Sequence, residues 1–175
     1  MTEDRNETDI SREDEAFLKQ EFLPAVEDLT DRFVKKATEV AQSEGWRPDL
    51  AEAIAVLGTA PFLEGLLSDV PPEEAVETGM RQGKHRMLGE LFKAEIDNGV
   101  DLHTAFRRIL DLQAENAERI GETPTQLPEA WVTTALAELD AAAAANQSPE
   151  EQVMAGLRSI AVTSLGDAID VIRSN

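Results

Sequence analysis

The chain has 175 residues, 35 Asp plus Glu against 16 Lys plus Arg, a formal net charge of -19, and no cysteine. A length of this order suits one domain burying roughly 70% of its unfolded surface without metals or cross-links, and 42% apolar content is too high for a chain disordered throughout. The missing cysteine excludes disulfides, thiolate metal sites and a cysteine nucleophile, and the acidic balance disfavours nucleic acid and anionic bilayers, which bind through Lys and Arg.

Residues 1 to 10 mix Asp, Glu, Asn and Thr with almost no apolar content, which predicts a disordered acidic tail rather than a secretory signal. Ser11 followed by Asp14 has the form of a helix cap. The helix it opens carries Phe17, Leu18, Phe22 and Leu23, and Pro24 must kink it or begin another. Beyond Pro24, the spacing of Val26, Leu29, Phe33, Ala37 and Val40 gathers apolar side chains on one helix face, with Gly45 as the stop. Trp46 reads as a lid on that helix end or as an exposed anchor for a partner.

Pro48 and Asp49 open a second helix that is apolar almost all round and therefore belongs in the core; Gly58-Thr59-Ala60-Pro61 is expected to break it. The longest apolar stretch, Ala53 to Leu63, is about half of what a membrane-spanning helix needs, so no transmembrane segment is expected. Pro72, Glu73 and Glu74 start a third helix running to about Asp97, ended by Asn98-Gly99. Asp101 caps a fourth, closed by Gly121. A fifth spans Pro128 to about Ala145, with Trp131 expected in the core, and Ser148-Pro149-Glu150-Glu151 is a capping box opening the last. The fold class that follows is all-α: a single-domain bundle of about five to six helices over residues 11 to 175, compatible with a subdivision near residue 123.

Abundant acid, scarce Lys (5 against 11 Arg) and 24 Ala give a composition that resembles proteins from organisms with molar salt in the cytoplasm. At about 1 M salt the Debye length falls to ~3 Å, which screens carboxylates from one another. A cytoplasmic location, or a particle assembled there, is the matching expectation.

Candidate chemistry is sparse. Di-iron bundles use Glu-x-x-His pairs, but Gln82 and Val100 precede His85 and His103 by three residues. Helical pyrophosphohydrolases use Glu-x-x-Glu and Glu-x-x-Asp to hold magnesium; Glu74/Glu77 and Glu115/Glu118 supply the first element, and nothing supplies the second. Phosphate-loop, dinucleotide and nucleophile-elbow motifs are missing. No catalytic residue, metal ligand or cofactor is therefore assigned.

One segment stands apart from the acidic background. Between Gly79 and Lys93 the chain gathers Arg81, Lys84, His85, Arg86 and Lys93, while Met80, Gly83 and Met87 fall on an apolar stripe. Gly79 and Gly83, one helical turn apart, let another helix approach the backbone. Two readings follow: a docking face, with Met80 and Met87 as adaptable contacts and Arg81, Lys84, Arg86 and Lys93 meeting an anion or acidic surface, or a central helix of the chain's own bundle. The leading expectation is a non-catalytic interaction or assembly module with a protein partner or self-association. A regulator binding nucleic acid or an anionic ligand through residues 81 to 93, and a divalent-metal enzyme, are the alternatives.

Overall fold

The computed structural model describes residues 16–124 and 126–174. The acidic tail and the Ser11 cap lie outside the described residues. Those residues form six α-helices and no strand: α1 (Leu23–Ser43), α2 (Pro48–Leu67), α3 (Pro72–Asp97), α4 (Leu102–Arg119), α5 (Glu129–Ala144) and α6 (Pro149–Ser174).

The helix boundaries follow local chemistry. Gly45, at φ +89°, ends α1 by sending its own N–H to Gln42 O and the Trp46 N–H to Ala41 O, at 3.0 and 3.1 Å; this left-handed cap satisfies carbonyls that the helix leaves free. Asp101 caps α4 by accepting the Thr104 N–H at 3.0 Å. Ser148 and Glu151 form the reciprocal box at the start of α6, the Ser148 N–H reaching the Glu151 carboxylate at 2.7 Å and the Glu151 N–H reaching Ser148 Oγ at 3.2 Å.

Two prolines behave differently from one another. Pro24 lies in the first turn of α1, and ahead of it Leu18–Phe22 is a π-helical turn. A proline has no N–H and its ring crowds the carbonyl four residues back, so the wider turn lets the helix continue through it. The break expected at Gly58–Pro61 does not occur: α2 runs through Pro61 to Leu67. Pro61 cannot bond the carbonyl of Leu57, and Arg86 of α3 donates to that carbonyl instead, through a long contact of 3.4 Å. Trp131 also departs from expectation. It is half-buried rather than in the core, because its indole N–H reaches out to the Asp167 carboxylate at 2.8 Å.

α3 is the central element. On one side it packs against α2 at backbone distance. A Cβ added to Gly83 would lie 2.0 Å from the Ile54 carbonyl oxygen, and one added to Gly58 would lie 2.3 Å from that of Gly79. The ring of Phe33 from α1 covers this crossing and stacks on Phe62, with centroids 4.3 Å apart and planes 9° from parallel. On the other side α6 meets α3 where Gly89 abuts Glu150, and α4 lays Phe106 onto Gly156. α5 closes the bundle through Val132, Leu136 and Leu139. The buried cluster takes residues from all six helices, on both sides of the connection near residue 123.

α2 has the length and apolar composition of a helix that crosses a membrane. Here Leu50, Ile54, Ala55 and Phe62 are buried against neighbouring helices, whereas Val56 and Leu67 on its other face are exposed.

Candidate functional site

The basic segment forms the middle of α3, and the fold divides it. Gly79 and Gly83 receive α2 of the same chain, and Met80 and Met87 are buried, Met87 at 2% exposure. Arg81 and Lys84 border a groove between α1, α3, α4 and α6. Arg86 and Lys93 lie beside the start of α6 with Gly89, Ser148 and Glu150. Lys84 pairs with Glu44, Lys93 with Asp97 one turn on, and Arg86 serves the Leu57 carbonyl; among the described residues Arg81 has no carboxylate within ion-pair distance. The four cations thus form two separated pairs, with three of the four already engaged.

The cations of α4 are engaged too: Arg107 with Glu129 at 2.6 Å, Arg108 with Glu95, and Arg119 with Glu115 at 3.5 Å. The hydrogen bond to Glu129 holds the Arg107 guanidinium above its usual value and the Glu129 carboxyl below its own. Exposed pairs of this kind are screened by solvent and add little to stability. The first two join α4 to α5 and α3, the third lies within α4, and together they leave little positive surface for phosphate.

The groove beside Arg81 has a volume of about 620 Å³ and is walled by Trp46, Met80, Leu88, Ile120, Met154 and Leu157. Its size lies within the ~300–1,000 Å³ typical of ligand sites. Asn116 of α4 lies on its wall. The Asn116 amide N–H₂ donates to the Glu44 carbonyl at 2.8 Å, while its Oδ1 is buried and receives no hydrogen bond. An acceptor buried without a donor costs about 1–3 kcal/mol. A single Asn within an amphipathic helix carries no pattern, so Asn116 has no signal in the sequence.

A second cavity of about 560 Å³ lies among α3, α5 and α6, lined by Glu138, Gln147, Glu150, Glu151 and Arg158. His85 and Met154 line both cavities and form the partition. His85 is held below its ordinary value of 6.5 chiefly by burial; Arg81, Arg158 and Lys84 act in the same direction and Glu150 opposes them. His103 is elsewhere, hydrogen-bonded to Asp140 at 2.8 Å. Among the described residues, no group of three or more His, Asp or Glu is arranged to hold a metal ion.

Exposed apolar side chains include Val56 on α2 and Ile120 at the end of α4, but most of them lie on the first part of the described chain and the last turns of α6. Gly89 meets Glu150 and Met80 shares the groove with Leu157, so α6 runs antiparallel to α3 and its last turns pass the start of α3. α1 runs parallel to α3, with Phe33 level with Gly79. At 1.5 Å per residue, Phe17 lies ~24 Å before Phe33 along the helix, whereas Pro72 lies only ~10 Å before Gly79. Both α1 and α6 therefore extend past the turn joining α2 to α3. Phe22, the last residue before α1, and Leu29 within it are exposed and continue the face that is buried at Phe33. On α6, Val162, Leu165 and Ile169 are 65%, 63% and 39% exposed, and at 100° per residue they lie opposite the buried Val153 and Gly156.

No family model matches the chain, and no curated protein or solved structure matches it.

Proposed function

We propose that this protein is a non-catalytic helical assembly module, adapted to high salt, that self-associates through the end of the bundle from which α1 and α6 project. The observation that carries this reading is the second apolar face of α6, Val162, Leu165 and Ile169, left exposed, together with the exposed Phe22 just before α1 and Leu29 within it. A helix apolar on two faces is stable when both are covered. Together with Phe17, Leu23 and Leu67, these residues expose apolar area on the order of several hundred Å², the scale at which a surface patch marks an interaction site.

A second copy is the occupant that the charge distribution favours. The stretch from Ser159 to Ser174 carries Asp167, Asp170 and Arg173 as its only charges in a chain of net charge -19, so two copies can meet there with little local repulsion. Molar salt screens the remainder.

Sedimentation equilibrium in about 3 M and about 0.1 M potassium chloride tests this. The native chain is expected to associate at high salt and dissociate at low salt. The double substitution Val162→Glu, Leu165→Glu is expected to leave a folded monomer at both. A native chain that stays monomeric at every concentration and salt overturns self-association; association unaffected by the double substitution moves the interface elsewhere.

A further inference from the structure

We propose that two copies pair antiparallel through α6, about a two-fold axis between Leu165 and Gly166, so that the last two turns of each α6 lie along the groove between α5 and α6 of the other. This arrangement rests on the self-association proposed above. It adds the geometry of the pair and a second surface, the groove, that the contact covers.

The first ground is continuity. The apolar face of α6 does not stop at Val162, which also lines a groove of about 390 Å³ whose other wall is Thr134 and Glu138 of α5. Glu138, Ala155 and Arg158 line both this groove and the cavity of about 560 Å³ next to it, so the two form one furrow along α6. The second ground is length. At 1.5 Å per residue the groove runs ~12 Å along α6, from Ala155 to Thr163, and Gly166 to Ser174 is also ~12 Å of helix. The third ground is spacing that complements itself, as a two-fold contact requires. The axis sets Val162 opposite Ile169 of the second copy. It sets Leu165 opposite Gly166 of that copy, where no atom lies within 4 Å of the place a Cβ would take, so a large side chain faces a small one. The fourth ground is charge. Asp167 is held on the opposite side of α6 by the Trp131 indole at 2.8 Å. Arg173 is exposed, and the antiparallel pair brings it to the part of the groove where Glu138 lies beside Arg158. Among the described residues neither Arg173 nor Glu138 makes an ion pair. A parallel pair would set each Arg173 against its own copy and leave both grooves uncovered.

The chain has no cysteine, so single introduced cysteines report the arrangement. In the antiparallel pair Ser159 lies level with Arg173 of the second copy to within ~2 Å along the axis, whereas two copies of either residue are ~20 Å apart. Ser159→Cys and Arg173→Cys are mixed at low salt, brought to about 3 M potassium chloride and treated with a short bismaleimide. The mixture should give a crosslinked heterodimer, and each variant alone almost none. Crosslinking of each variant alone and not of the mixture means parallel helices; it overturns the arrangement while self-association stands. A dimer by sedimentation that crosslinks in no combination also overturns it and places the interface away from this groove. The native chain supplies a second readout, because a two-fold contact is closed. Its sedimentation should stop at the dimer as protein concentration rises, and larger species overturn the arrangement even if a variant does not fold. A native chain that is monomeric throughout removes both this arrangement and the reading on which it rests.

Discussion

Gly83 and Gly166 both sit inside helices, and their surroundings give substitution by alanine opposite signs. At Gly83 a Cβ would fall 2.0 Å from the Ile54 carbonyl oxygen, a backbone atom that can move only if α2 and α3 part; at Gly166 nothing lies within 4 Å. Gly83→Ala should therefore destabilise by about 3 kcal/mol or more, and Gly166→Ala should stabilise by about 0.5–1 kcal/mol through the entropy of the unfolded chain. Urea denaturation of both variants at fixed salt measures the difference. A neutral Gly83→Ala would mean that the crossing of α2 and α3 is wider than described. His85 provides a pH dependence whose sign can be worked out. Its folded value lies below 6.5, with burial as the largest cause. As pH falls through 6.5 the unfolded chain takes up a proton that the folded chain refuses, so this contribution is fully present above about pH 6.5 and declines as pH falls towards the folded value. His85→Gln should flatten the denaturation midpoint between about pH 7 and 5.5, above the range where exposed carboxylates titrate. Parallel curves for the two proteins would show that His85 is not desolvated.

Element boundaries were legible in the sequence wherever their cause is local. Gly45, the Asp101 cap and the box of Ser148 and Glu151 act within one turn of chain, and each sits where its residue type places it. Pro61 was misread because what sustains α2 there is remote: Arg86, from another helix, serves the carbonyl that Pro61 leaves free. Trp131 was misread for a related reason, since apolar spacing on α5 says nothing of Asp167 on α6. The candidate site was half legible. The spacing of Gly79 and Gly83 correctly announces a close helix, but an apolar stripe that docks a partner and one that docks the preceding helix have the same period, and α2 takes the place. The separation of Arg81 and Lys84 from Arg86 and Lys93 depends on the azimuth of α3 within the bundle, which one helix in isolation does not define. The outward face of α6 was readable from spacing alone: Val162, Leu165 and Ile169 lie about half a turn from Val153 and Gly156. Asn116 had no sequence signal, because its significance is an unsatisfied atom.

At the scale of the whole molecule, charge arithmetic sets the dependence on salt. With 35 acidic and 16 basic residues, at least 19 carboxylates lack a basic partner even if every cation makes one pair. Several cations pair with carboxylates only one helical turn away, as Arg32 does with Asp28 and Lys93 with Asp97, so they cancel charge locally and do little against repulsion between helices. The Debye length is about 10 Å in 0.1 M salt, comparable with the spacing of adjacent helices, and ~3 Å at 1 M; repulsion across the bundle is therefore felt in the first condition and removed in the second. The thermal midpoint should rise with potassium chloride, and this must be separated from any gain through association. The monomeric Val162→Glu, Leu165→Glu variant serves as the background. On it, Glu27→Gln, Asp31→Asn and Glu39→Gln neutralise three exposed carboxylates of α1 that make no ion pair among the described residues. If repulsion governs the salt response, these changes raise the midpoint at about 0.1 M and leave it unchanged at about 3 M, so the two curves converge. Curves that remain parallel would place the effect of salt in apolar hydration and would remove the electrostatic basis for reading the acidic composition as adaptation to high salt.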